Sequence, residues 1–162
     1  MAQGVCNFNT AGLRDLLSYA VTPPSLLQVE LHAYLQQPKL LRFCAEHGIA
    51  VTGFSPLGAG SYVELGMATS SESALENAEV ARLASAHGVA PAQLILKWAL
   101  QRGVAVIPKS TKPERLAMNI DLDGFRLSDD DMSALAALDR QKRFNDPGVF
   151  CLGMGAFCPI FD

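Results

Sequence analysis

The 162-residue chain has no run of apolar residues long enough for a membrane-crossing helix, and its N-terminus lacks the basic-then-apolar pattern of a secretory leader. Both absences predict a cytoplasmic protein with no membrane partner. A basic excess is missing too: 13 Lys and Arg against 16 Asp and Glu leave a net charge of −3. That balance excludes a general nucleic-acid binder and makes any positive patch a local feature. Metal-ligand spacing is absent, because Cys6, Cys44, Cys151 and Cys158 form no C-x-x-C pair and the three histidines are dispersed. The cysteines read as reduced structural thiols. Cys151 and Cys158 flank a glycine-rich stretch that could bring them together, which spacing alone does not decide. No G-x-S-x-G elbow, H-E-x-x-H helix or P-loop occurs, so a hydrolase triad has no support. What remains, 49% hydrophobic and 18% charged residues, is the composition of a soluble globular chain able to bury a core.

The pattern along the chain alternates helix and strand. "CAEHGIAVTGFSPLG" and "ALQRGVAVIPKST" each run from a helix end through Gly48 or Gly103 into a short apolar run. A glycine there suits the left-handed residue that ends a helix. His47 and Arg102, in the last turns, meet the negative end of the helix dipole, as does His87 before Gly88. The runs Ile49–Phe54 and Val104–Pro108 have the length of buried strands, and "SLLQVELHAY" adds one around Leu26–Leu31. "GVCNFN" reads as the tail of an earlier strand. Helices are expected through "GLRDLLSYA", from Pro38, through "ENAEVARLASAHG", from Pro91, and after Ser128, which can cap an acidic first turn. The stretch after Phe54, "GAGSYVELGMATSSES", reads as a long loop, and the tail from Phe144 as a surface loop. Four strand–helix units in series are half of an eightfold barrel; a small doubly wound sheet is the alternative, without its usual glycine-rich fingerprint.

In either parallel architecture the chemistry sits at the C-terminal ends of the strands. Those ends carry Cys6, Asn7 and Asn9; Glu30, His32 and Tyr34; Phe54, Ser55 and Leu57; and Lys109, Ser110 and Thr111. "VIPKSTKPERLAMN" gives the clearest signal. Thr111 and Glu114 have the T-x-x-E spacing of a capping box, and Lys109 and Arg115 place two cations beside a helix start that already favours anions. Arg115 can grip a phosphate with two parallel hydrogen bonds. The bland reading is a solvated basic helix start. "FSPLGAGS" can admit a pyrophosphate to backbone amides, or simply turn at Pro56, Leu57 and Gly58. His32 reads as a hydrogen-bonded framework histidine or a proton donor.

These blocks, with "LSDDDMSALAALDR" and "RFNDP", resemble in order the C-terminal half of the aldo-keto reductases over almost the whole chain. The resemblance implies strands five to eight of a (β/α)8 TIM barrel, the first of them truncated. Residues 1–162 would form one partial domain: strand–helix units over 1–127, an accessory helix over 128–140 and a C-terminal loop over 141–162. The family reduces aldehydes and ketones with NADPH, and the resemblance carries cofactor roles onto this chain. Asn7 and Gln28 would meet the nicotinamide carboxamide, with Cys6 standing where the family usually has Ser. Phe54, in place of the usual Tyr, would stack on the ring. Ser55 and Leu57 would meet the pyrophosphate, under a flap running from Gly58 towards Ser73. Lys109, Ser110, Arg115 and Asn119 would hold the adenosine end and its 2′-phosphate, while Met118 replaces a commonly acidic neighbour of the adenine. "RFNDPGVF" is most like sugar-reducing members such as xylose and aldose reductases.

The family's proton-donor Tyr and its Asp, Lys and His partners come from the first four strands, and His32 and Tyr34 match sixth-strand positions instead. The resemblance therefore implies no catalytic residue here and an isolated chain that binds NADPH without reducing an aldehyde. An aldehyde or aldose would be a partner only with a separate N-terminal half. The other expectation is a non-catalytic half-barrel module that self-associates through its exposed sheet edges.

Overall fold

A computed structural model describes residues 2–151 and residue 161. Four strands, β1 (Gly4–Cys6), β2 (Leu26–Glu30), β3 (Ala50–Phe54) and β4 (Val104–Val106), form one sheet in the order β1-β2-β3-β4. Every pairing is parallel. Crossovers of constant hand between successive neighbours place their helices on a single face, which is a barrel sector and not a doubly wound sheet. The doubly wound alternative is thereby set aside.

The two faces of β2 show the consequence. Leu27 and Val29 are buried, as are Val51 of β3 and Val104 of β4 on the same side. They pack beneath α1 (Thr10–Tyr19), α2 (Pro38–Glu46), α4 (Ala78–His87) and α5 (Pro91–Gln101), which contribute Leu13, Leu40, Cys44, Val80, Leu83, Leu94, Ile95 and Trp98. On the other face Leu26 is 37% exposed, and Cys6, Ala50 and Ala105 are exposed too. This open face closes only towards the C-terminal end of β2, where Gln28 is half-buried and Glu30 wholly buried.

Local chemistry sets the helix ends. The Asn9 side chain accepts from the Gly12 N–H at 2.8 Å to start α1, and Asn77 accepts from Glu79 to start α4. Pro38 and Pro91 open α2 and α5 where a missing N–H does no harm. Gly48 and Gly103 follow with φ of +67° and +75°, the left-handed geometry that glycine adopts without strain. The remaining helices are α3 (Gly60–Glu64), α6 (Pro113–Ile120), α7 (Asp129–Ala136) and α8 (Pro147–Phe150). No helix among the described residues is long and apolar enough to cross a membrane.

Three expectations are corrected. The stretch after Phe54 is not a plain loop: it holds α3 and two 3-10 turns, Ser70–Glu72 and Ala74–Glu76, because Tyr62 buries itself against Phe144 and Ala59. The tail does not simply run over the surface either, since Phe144 is buried and α8 follows it. At α6, Thr111 and Glu114 form no capping box. Pro113 takes the first helical position, so Lys112 becomes the cap residue and Glu114 falls one position short of the third. Ser110 Oγ accepts from the Lys112 N–H at 3.2 Å instead.

Candidate functional site

The sheet register brings part of the expected set into one row. Cys6, Gln28, Thr52 and Ala105 are successive register partners across the four strands, all on the open face. Phe54 lies two residues beyond Thr52, opposite Glu30. Asn7 follows β1 with φ of 59°, a left-handed geometry that Asn tolerates better than most residues. Its N–H donates to the Gln28 carbonyl at 2.9 Å, which extends the β1–β2 ladder. Its side-chain Oδ1 is buried and has no hydrogen-bond partner. A second orphaned atom, Nη1 of Arg102, lies away from these strand ends at the close of α5.

Beyond β3 the chain turns sharply. Ser55 adopts φ of 50°, and its carbonyl accepts from the Gly58 N–H at 2.8 Å. The Pro56-Leu57-Gly58 turn is therefore real, and Leu57 is half-buried against the helical core. The Ser55 hydroxyl bonds the Tyr62 hydroxyl at 2.8 Å, so this side chain fastens the turn to α3. Burial pushes the Tyr62 phenol above its ordinary pKa. Tyr62 stacks on Phe144 with centroids 5.6 Å apart. Further along, the Glu72 carboxylate accepts from the Thr69 N–H at 2.8 Å and pairs with Lys142 Nζ at 3.0 Å.

The cationic end lies after β4. Lys109 and Arg115 are exposed, Ser110 and Asn119 half-buried. Neither cation takes part in an ion pair among the described residues. Helix α6 buries no residue, and Met118 on it lines a cavity of about 420 Å³ with His87 and Phe125. His87 does more than meet its helix dipole, since its Nε2 bonds Asp131 Oδ2 at 3.0 Å. His47 keeps the expected local role, with Nδ1 at 2.8 Å from the Phe43 carbonyl.

His32 proves to be framework. It is buried, its Nδ1 accepts from the Tyr34 N–H at 3.3 Å, and its Nε2 therefore carries the proton donated to Glu30 Oε1 at 3.0 Å. Tyr34 is buried too, and its hydroxyl accepts from the Asn77 amide at 3.1 Å. The partner of His32 is Glu30, which the sequence reading placed at the strand end without assigning it a partner. Glu30 is wholly buried, and its carboxylate accepts the N–H groups of Phe144 at 2.8 Å and Asn145 at 3.1 Å. Arg143 Nη1 lies 3.5 Å away. A carboxylate at a strand end demands partners when buried, and that demand was the available signal.

Among the described residues Cys6, Cys44 and Cys151 form no disulfide with one another, and burial pushes Cys44 up. Cys158 lies outside the described residues, as does any pairing with Cys151. No cluster of three or more metal-ligating side chains exists among the described residues.

Comparison with known proteins fits this architecture. The sequence profile described as "Aldo/keto reductase family" matches residues 2–140. The NAD(P)H-dependent D-xylose reductase of Scheffersomyces stipitis is 48% identical over 146 residues, 89% of this chain and 46% of that protein. The NAD(P)H-dependent D-xylose reductase of Aspergillus niger is 43% identical over 160 residues, 98% of this chain and 49% of the relative. Among solved structures, an aldo-keto reductase complexed with NADPH superposes with a TM-score of 0.82 at 31% identity, covering 90% of this chain and 44% of that one. The chain spans about half the length of the curated relatives it matches.

Proposed function

The chain belongs to the aldo/keto reductase family, and from that premise we propose that it carries the part of the fold that holds NADPH. The carrying observation is Asn7 Oδ1, buried without a partner at the end of β1 beside Gln28. A buried acceptor left unpaired costs about 1–3 kcal/mol. The carboxamide N–H of a nicotinamide offsets that cost, so the residues present fit this cofactor. Gln28 would accept or donate on the same carboxamide, with Cys6 beside it in register. Phe54 offers a ring face for stacking. Ser55 and Leu57 would lie along the pyrophosphate. Lys109 and Arg115, unpaired among the described residues, would grip the 2′-phosphate, with Ser110 and Asn119 on the adenosine.

A bound nicotinamide supplies a hydride, and the carbonyl that accepts it also needs a proton on its oxygen. No residue at these strand ends serves as that acid in this reading: His32 already donates to Glu30, and the Tyr34 hydroxyl is buried against Asn77. The isolated chain therefore holds the cofactor without reducing a substrate. The names of its relatives support sugar aldehydes as the substrate class of a completed enzyme, and a cytoplasmic location without a nucleic-acid partner belongs to the same proposal. Residues 1–162 act as one partial domain.

The test is discrimination between NADPH and NADH. A charge-assisted hydrogen bond contributes about 1.5–3 kcal/mol, so the double variant Lys109→Met/Arg115→Leu should bind NADPH at least about tenfold more weakly. Its NADH affinity should stay within about twofold. Equal losses for both cofactors would remove the phosphate role.

A second reading rests on the open sheet face and on β1 and β4, which have no outer partner strand among the described residues. Such edges invite another polypeptide, whether a second copy or a complementary half. Sedimentation should show concentration-dependent association; a compact monomer over a hundredfold concentration range would rule the reading out.

A further inference from the structure

The flap and the C-terminal segment touch at two independent places. Tyr62, in α3, stacks on Phe144 at 5.6 Å with the rings inclined by only 17°. Ten residues further along the flap, Glu72 pairs with Lys142 Nζ at 3.0 Å. Each side of this contact is also hydrogen-bonded elsewhere. On the flap side, the Tyr62 hydroxyl is bonded to Ser55 at the end of β3. On the other, Lys142 N–H donates to the Tyr34 carbonyl at 2.9 Å, and the next residues are held by Glu30. Phe144 completes the joint by packing on His32, with centroids 5.2 Å apart. Gly58 lies under the same ring: a Cβ there would stand 3.6 Å from Phe144 Cε2.

Buried aromatic packing has discrete arrangements and not a continuous range, so a stacked pair transmits displacement between the elements that own it. We propose that Phe144 and Lys142 are positioning residues that make the flap and residues 142–145 one moving unit, so that cofactor under the flap orders the C-terminal segment beside the nicotinamide position. The inference rests on the reading of residues 58–73 as the cover of an NADPH site. By reciprocity, whatever fixes the C-terminal segment tightens cofactor binding by the same factor.

The reporters are already in place. The Phe144 and Asn145 N–H groups, donated to Glu30, read the segment; the Val63 and Met67 N–H groups, donated to the Ala59 and Tyr62 carbonyls, read the flap. Hydrogen exchange at these amides, followed by NMR on the 162-residue chain with and without NADPH, tests the coupling. In the native chain NADPH should slow both sets. In Lys142→Met/Phe144→Leu it should still slow the flap set but leave the backbone amides at positions 144 and 145 unchanged, with NADPH affinity lower by about fivefold or more. Exchange at the Leu27 and Val29 amides confirms that the variant is folded. If it is not, Lys142→Met alone, at a half-exposed side chain, should weaken the segment response while sparing the flap. Slowing of the flap alone in the native chain overturns the proposal, and so does an undiminished segment response in the variants. Absence of any NADPH effect at the flap, with no saturable change in cofactor fluorescence, overturns the underlying NADPH reading and the coupling with it, a pattern distinct from both.

Discussion

At Glu72 several favourable contacts converge on one carboxylate. The Thr69 N–H, the Lys142 ammonium and the Thr69 hydroxyl together hold its pKa at about 2, against an ordinary 4.5. All three favour the charged form. A depressed folded-state value contributes stability above the unfolded value and loses it as pH falls through the folded one. The contribution is therefore complete above pH 4.5 and fades between 4.5 and about 2. Glu72→Gln should lower the urea midpoint at pH 7, with the gap from the native chain closing towards pH 2; a gap constant across that range would contradict the assignment. The same residue shows what a four-residue pattern does and does not disclose. Thr69 and Glu72 share the T-x-x-E spacing that had been expected to act at Thr111 and Glu114, yet only the former pair is bonded. Pro113 decides the difference by claiming the first helical position. Cys6, Asn7 and Phe54 could be placed at strand ends from the sequence, and Gln28 within its strand. The orphaned Asn7 oxygen could not, because burial is a property of the assembled turn.

Strands and helices were legible where local signals agree. Gly48 and Gly103 end helices, and the Ile/Val runs after them are strands, because each signal acts within a few residues. The C-terminal segment was not legible for the opposite reason. Its placement depends on Glu30 meeting Phe144, a contact between residues 114 positions apart. Secondary structure inside the flap was missed similarly, since Tyr62 orders α3 only by reaching Phe144. Within β2 two neighbours measure the asymmetry of the sheet. Leu27 is fully buried under the helices and Leu26 is 37% exposed on the open face. Leu27→Ala should destabilise the chain by about 2–5 kcal/mol, and Leu26→Ala by no more than about 0.5–1 kcal/mol. Chemical denaturation compares them directly; equal losses would mean that the open face is covered in solution.

At the scale of the molecule, consecutive parallel order and helices on one face make this a barrel sector, and its relatives are about twice its length. Helix α6 fits that picture, because none of its residues is buried and Leu116, Met118 and Ile120 are exposed. The parts on which the proposal rests are the orphaned Asn7 oxygen beside Gln28, Phe54 at the end of β3, and Lys109 and Arg115 after β4. The account stands or falls on whether these parts hold one ligand together. Titration of the 162-residue chain with NADPH and NADH, followed by cofactor fluorescence, asks that directly. Saturable binding of one NADPH per chain, at least about tenfold tighter than NADH, is the predicted result. A flat titration, or equal affinity for the two cofactors, would contradict it.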